Sequence, residues 1–600
     1  MTLPLLSPRD LEFQLYEVLN AHELVSRERY ADHSRETFDA VLATARSLAE
    51  SHLLTHRRAS DEHEPFVQDG LVITPPGVKE GIAAMAEAGF IAATHDQQLG
   101  GMQLPHVIAN AALLWFDAAN VATSSYAMLA SGVANLVATF GTESQRARYL
   151  DPLLTGRYLG TMALTEAGAG SSLADLRTRA EPIPSTLASN TYRISGTKMW
   201  ISGGEHELSE NIIHMVLARI DGAPPGVRGI SLMLVPRFRE SRVTNGVRLG
   251  GLIHKMGWRG TTSTILNFGD GEECIGELVG EPHRGLACMF QMMNEARIGV
   301  GRAATAMGYA AYRHALDYAR TRRQGRLPGE KDPLGAPVPI IEHPDVRRML
   351  LAQKAITEGA VSLILACAQL VDDERTDPDA NARQEASALL EVLTPIAKAW
   401  PAEACQDAIS LAMQTLGGYG FAREYPIEQF YRDNRLNPLH EGTNGVQALD
   451  LLGRKVRQDG GLGLAALVRR MREGAFEAES LNDVLSLAPM MHDAIARLER
   501  VTQALLAAPA NREPTRALAN ATAYLDLVSR TVVAWLWLRQ ATVASHGLPA
   551  ANAAADRDFY RGKMQAARYW FGWELPRTET LADLLERGDA TPFDMQDAWF

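Results

Sequence analysis

Ile212-Ile213-His214-Met215-Val216-Leu217, followed by Ile230-Ser231-Leu232-Met233-Leu234-Val235, decides how the rest of this chain is read. Both runs are apolar and too short for helices, so each predicts a buried strand. Similar runs flank them: Tyr192-Arg193-Ile194-Ser195-Gly196 before, and Thr261 to Phe268 after, with Gly and Asn turns between. Between about Tyr192 and Leu278 no helix-length period interrupts the pattern. That argues against a βαβ fold and for an antiparallel barrel or sandwich.

On either side of this block the texture is helical. From Leu11 to about Tyr158, Ala-rich segments are separated by Gly and Pro; Pro75-Pro76-Gly77 precedes a helix over 78–88. The nearly uncharged stretch from Val107 to Thr142 contains Asp117 and many Ala, Asn, Ser and Thr residues, and reads as packed core helices rather than a membrane span. From about Gly285 the helical period returns, with Val346, Met349, Leu350, Ile356, Ala360, Leu363, Cys367 and Leu370 forming the stripe a bundle helix needs. Asp372 to Asp379 reads as a solvated break, and Gln458 to Gly463 as a hinge. A last helical block, roughly Leu464 to Tyr569, puts Leu525, Val528, Val532 and Trp535 on one face. The expected division is an extension (1–34), a helical domain (35–160), a β-barrel domain (161–284), a helical bundle (285–457) and an extra helical domain (458–600).

The 600 residues, 46% hydrophobic and 22% charged, describe an ordinary soluble globular chain. A net charge of −12 and a pI near 5.8 argue against nucleic acid as a partner. The N-terminus lacks the basic and apolar regions of a secretory signal. Cys274, Cys288, Cys367 and Cys405 are scattered, with neither metal-like pairing nor a disulfide framework, as a reducing cytoplasm permits.

Four segments could carry chemistry. Asn437-Pro438-Leu439-His440-Glu441-Gly442-Thr443-Asn444-Gly445 sets one carboxylate on a loop that opens a helix, where it can be aimed into a cleft or can simply favour the helix dipole. Leu164-Thr165-Glu166-Ala167-Gly168-Ala169-Gly170-Ser171-Ser172 joins small residues to two hydroxyls, suiting either a ligand or an interdomain turn. It has neither the Lys of a phosphate loop nor the βαβ setting of a dinucleotide fingerprint. Lys198-Met199-Trp200-Ile201-Ser202-Gly203-Gly204 is an aromatic strand end or a hairpin with a core Trp. Arg297, Arg320, Arg322, Arg323 and Arg326 suit phosphate binding or a solvated surface.

Taken together, and with Gln414-Thr415-Leu416-Gly417-Gly418-Tyr419-Gly420, these segments resemble the acyl-CoA dehydrogenase family over roughly residues 35 to 456. The extension, an insertion at 327–341 and the last helical block resemble its longer bacterial branch. The fold this implies is mainly α with a central β-barrel: an α-helical N-domain, a β middle domain and a four-helix-bundle C-domain, plus an extra C-terminal helical module. The resemblance implies FAD, an acyl-CoA substrate, electron-transfer flavoprotein as acceptor and a homo-oligomer, dimer or tetramer.

By the same resemblance, Met162, Leu164, Thr165, Trp200, Ile201 and Ser202 bind the flavin ring, with Thr165 and Ser202 supplying hydroxyls. Gly170 and Ser171 lie near the cofactor and the CoA pantetheine. Asn294, where the family has Asp, and Arg297 contact CoA. Arg322, Gln414, Leu416, Gly417 and Gly418 reach the FAD of a neighbouring subunit, although Thr321 replaces the usual Glu and the Phe after Gln324 is missing. Thr443 and Asn444 touch the adenosine portion, Gly442 lies beside the substrate and Glu441 is the catalytic base, with His440 where Tyr is common. The implied reaction is α,β-dehydrogenation of a CoA thioester to the 2-enoyl-CoA. An acyl-CoA oxidase using O2 and a flavin-containing binding protein of the DNA-damage-response type are the rival expectations.

Overall fold

A computed structural model describes residues 5–184, 190–329, 334–507 and 514–600. The insertion expected at 327–341 therefore lies partly outside the described residues. Contacts divide the chain into two units, one of Arg35–Pro105 with Ala112–Ala296, the other of Met1–Ser34 with His106–Ala111 and Arg297–Phe600.

The first unit carries the β structure. A hairpin of β1 (Phe66–Gln68) and β2 (Leu71–Ile73) stands apart. Among the described residues one sheet holds eight strands: β3 (Tyr158–Ala163), β4 (Arg179–Pro182), β5 (Thr191–Ser202), β6 (Asn211–Ile220), β7 (Ile230–Pro236), β8 (Val247–Leu252), β9 (Ser263–Phe268) and β10 (Ile275–Val279). Their order runs β10-β7-β6-β4-β5, and β10 pairs again with β5 through Ile275 and Arg193, so the sheet closes into a barrel. β9 and β8 continue beyond β5. Within the span expected to be antiparallel, β5 to β10 pair antiparallel throughout, whereas β3 and β4, which precede it, run parallel to β6. Parallel pairing needs a long crossover, and the chain between β3 and β6 supplies one.

Barrel position explains why β6 and β7 are apolar throughout instead of alternating. Ile213, Met215, Leu217, Leu232 and Leu234 pack against Val133, Val137, Leu150 and Leu153 of the helices. Val216, Ala218, Met233 and Val235 face the other way, onto Leu266 and Phe268. Strands covered on both faces read as continuous hydrophobic runs.

The second unit is helical. The long helices Pro344–Thr376 and Ala380–Leu416 are joined across Asp377-Pro378-Asp379, and the Asp379 side chain caps the second by accepting from the Asn381 N–H. The Ala521–Gly547 helix docks on the first. Trp537 Nε1 donates to Ala355 O at 2.9 Å, and a Cβ on Gly359 would stand 2.9 Å from that same indole nitrogen. The N-terminal segment is clasped into the same body, since buried Lys563 reaches Asp10, Glu358 (2.8 Å) and Gln540 (3.0 Å).

One expectation fails here. Asp372 is not in a solvated break: it is fully buried near the end of the Pro344–Thr376 helix. Its carboxylate accepts from Tyr30 Oη at 2.7 Å and from the backbone N–H groups of His106 and Val107 at 2.7 and 3.0 Å. An acid that caps a helix start is satisfied without water. By length and composition the helices His106–Phe140 and Pro344–Thr376 could cross a membrane, but their most apolar windows are 67% and 94% buried inside the protein, as core helices are. The first is broken by non-helical geometry at Asn120.

Candidate active site

Glu441 sits on a short turn between the Ile427–Asn434 and Asn444–Gly453 helices. The Asn444 N–H closes the loop onto Pro438 O at 3.1 Å. Thr443 caps the second helix, its Oγ1 accepting from the Val446 N–H at 3.3 Å. Glu441 therefore lies outside the helix and does not serve as its cap. Glu441 and Gly442 have φ of 52° and 85°, two successive left-handed residues. For Glu this conformation costs roughly 1–2 kcal/mol, and the surroundings must hold it. Gln447 does so from below: its buried Nε2 donates to Gly442 O at 3.2 Å and Glu441 O at 3.4 Å. A Cβ on residue 442 would stand 2.7 Å from that nitrogen and push the Gln447 amide aside, adding to the strain of a side chain at φ of 85°.

The Glu441 carboxylate accepts a hydrogen bond from no described residue, and the backbone N–H groups of Glu441 and Gly442 have no acceptor among them. The side chain is half-exposed, yet burial pushes its carboxyl above the usual range, against the opposing pull of Lys398 and Arg297. It is deep but reachable. Beside it, burial and the charge of Lys398 push His440 down to about 3, so its imidazole is neutral; Nε2 bonds Asn437 Oδ1 at 3.2 Å.

Three residues around this turn carry no expectation from sequence: Lys398, Gln447 and Asp450. Lys398 Nζ donates to Asn444 Oδ1 at 3.0 Å, while Asn444 Nδ2 donates to Ala399 O at 3.3 Å. The Asn444 amide is thus engaged inside the bundle. Arg297, expected at the CoA, is buried with Nη1 on Asp450 Oδ2 at 2.8 Å, and Arg454 holds the other oxygen at 2.8 Å. Asn294, one turn earlier on the same helix, is half-buried. The signal for Lys398 was available: it is the lone charge in Thr394-Pro395-Ile396-Ala397-Lys398-Ala399-Trp400-Pro401.

In the other unit, the two segments expected at the flavin are stitched together. Lys198 Nζ donates to Leu164 O and Glu166 Oε1, both at 2.9 Å, and the Met199 N–H donates to Thr165 O at 3.0 Å. Glu166 also accepts from Thr178 Oγ1 (2.6 Å) and from the N–H groups of Arg177 (2.6 Å) and Thr178 (3.0 Å). Burial alone would raise its carboxyl, but Lys198 and these donors hold it below the usual range. Between Lys198 and Ile201 the β5–β9 register shifts, and Trp200 takes φ of 63°. The bulge turns Trp200 outward to 55% exposure, which excludes the core-Trp reading. Gly170, Ser171 and Ser202 are exposed; Met162, Leu164 and Thr165 are half-buried; Ile201 anchors the strand in the core. An open shelf with hydroxyls and an aromatic face fits a flavin ring.

The helical unit has a cavity of about 610 Å³ lined by Tyr318, Arg322, Gln414, Leu416, Gly417, Gly418 and Tyr419, among others. It collects all five residues expected at a neighbour's cofactor. Arg322 lies 5.8 Å from the Tyr419 ring centroid and has no carboxylate partner among the described residues, so its charge is available to a phosphate.

The acyl-CoA dehydrogenase N-terminal, middle and C-terminal domain models match residues 35–157, 161–270 and 283–456, and an acetyl-CoA dehydrogenase C-terminal-like model matches 467–596. Among similar proteins, 3-methylmercaptopropionyl-CoA dehydrogenase of Ruegeria pomeroyi is 35% identical, covering 93% of this chain and 94% of the relative. A broad-specificity linear acyl-CoA dehydrogenase of Mycobacterium tuberculosis is 33% identical over 99% of both chains. An acyl-CoA dehydrogenase structure from Bacillus anthracis, complexed with FAD, matches the fold with a TM-score of 0.74 at 20% identity, covering 96% of this chain and 91% of that one. The chain belongs to the acyl-CoA dehydrogenase family and, with it, is an FAD-dependent oxidoreductase acting on acyl-CoA.

Proposed function

We propose that the protein dehydrogenates its acyl-CoA between the α and β carbons, with Glu441 removing the α-proton. The carboxylate itself carries this reading: it stands on a left-handed turn, burial raises its pKa, and no described donor occupies its oxygens. A base raised toward the working pH and free of hydrogen bonds is a strong proton acceptor. The α C–H of a thioester is weakly acidic, so donors to the thioester oxygen matter as much as the base. The N–H groups of Glu441 and Gly442, without acceptors among the described residues, are suited to that task. FAD, when bound, supplies the acceptor for the β-hydrogen as hydride, which makes the product the 2-enoyl-CoA.

In this reading Met162, Leu164, Thr165, Trp200, Ile201 and Ser202 hold the flavin ring, and Ser171 meets the pantetheine. The Arg322 cavity receives cofactor phosphates from a second copy, so the enzyme works as a homo-oligomer and passes electrons to an electron-transfer flavoprotein. Four buried free thiols fit a cytoplasmic setting. The deciding experiment is anaerobic mixing of Glu441→Gln with acyl-CoA. The variant is expected to retain FAD but not to be bleached; bleaching at the wild-type rate sends the base elsewhere.

A further inference from the structure

Lys398 lies midway along the Ala380–Leu416 helix, between Pro395 and Pro401, with none of its surface exposed. A buried ammonium normally pairs with a carboxylate, as Lys198 does with Glu166 at 2.9 Å. Among the described residues no carboxylate stands within ion-pair distance of Lys398; its hydrogen bond goes to the neutral Asn444 amide at 3.0 Å. The same helical turn grips the other end of that amide through Ala399 O. Asn444 begins the Asn444–Gly453 helix, three residues after Glu441. The residue that opens this helix, just past the two left-handed residues of the turn, is thus held from behind by a cation.

We propose that Lys398 is a positioning residue for the Glu441 base, anchoring its turn through Asn444 and supplying the positive charge that the carboxylate meets from inside the bundle. The inference rests on Glu441 being the base. The charges acting on Glu441 are those of Lys398 and Arg297, and Arg297 is engaged by Asp450. Those acting on Lys398 are Glu441 and Glu403, which favour its charge, and Arg297, which opposes it. Burial brings Lys398 down to about 8, so it remains charged at neutral pH. His440 beside it is neutral and adds no competing cation. Burial raises the Glu441 carboxyl and Lys398 opposes that rise. Without Lys398, Glu441 would keep its proton to higher pH, and the α-proton would lack an acceptor.

The test uses FAD-loaded protein and a short straight-chain acyl-CoA, with flavin bleaching followed by stopped flow across pH. Lys398→Met is expected to move the midpoint of the acid limb upward by about one unit, roughly a tenfold loss of ionised base below it. Lys398→Arg should keep the midpoint. Asn444→Ala should slow bleaching about tenfold without moving the midpoint, since it loosens the turn and leaves the charge. A difference proton titration of wild type against Glu441→Gln, repeated in the Lys398→Met background, reads the same shift without turnover. An unmoved midpoint and titration in Lys398→Met overturn the proposal. Should Lys398→Met not fold, Lys398→Gln takes its place. Should neither fold, bleaching of Asn444→Ala at the wild-type rate overturns it. Wild-type bleaching by Glu441→Gln removes the base assignment itself, so the two failures are distinguishable.

Discussion

Glu166 and Glu441 each sit in a loop beside small residues, each near a buried lysine, and they have opposite fates. Glu166 accepts four hydrogen bonds and touches Lys198, and its carboxyl is held low. Glu441 accepts none from the described residues; Lys398 stands beyond ion-pair contact, and its carboxyl is raised. The first acid ties two loops together, and the second is left able to take a proton. Residue type does not separate structure from chemistry in this protein; the number of donors reaching the oxygens does.

The comparison breaks most readily at the acids themselves. Glu441→Gln should lower flavin reduction about a thousandfold, with an unchanged melting temperature. Glu166→Gln should do the reverse, losing stability and retained FAD while the remaining bound flavin is still reduced. Equal activity losses in both variants, with no difference in melting, would erase the distinction. In wild type the rate should rise with pH as Glu441 ionises, and the rise should fall above the ordinary glutamate range because burial raises that carboxyl. A rise centred within the ordinary glutamate range would contradict it.

Lysine variants sharpen the contrast. Lys198→Met strands the Glu166 carboxylate and should cost about 3 kcal/mol in denaturant unfolding. Lys398→Met strands no contacting acid, so its loss should be smaller and its effect should appear in pH dependence. Gly442→Ala should cost roughly 1–2 kcal/mol for its φ of 85° and about a hundredfold in bleaching rate, as the Gln447 contact is pushed aside. Thr443→Ala, which removes a helix cap, should cost about 1 kcal/mol in stability.

Much of this was legible in the chain. The β6 and β7 runs announced strands buried on both faces, and the segments around Thr165, Trp200, Gln414 and Glu441 singled out the loops on which the proposed function rests. What escaped depends on partners distant in sequence. Asp372 lies in a string of charges that reads as solvated, and only the N–H groups of His106 and Val107, 266 and 265 positions away, make it a buried cap. The parallel pairing of β3 and β4 with β6 follows from crossover geometry, which local pattern does not encode. Arg297 reads as a free cation until Asp450, 153 residues on, is brought to it.

The clasp of Asp10 onto Lys563 has a consequence for biogenesis. These two side chains are separated by 553 positions, so during synthesis Asp10 waits through most of translation before its cation emerges. Until then Glu358 has Lys354 as its cation but not Lys563, and the helices around it lack their keystone. The helical unit should therefore complete its maturation only after the ribosome has passed residue 563, and nascent chains halted short of that point should be the ones a chaperone holds.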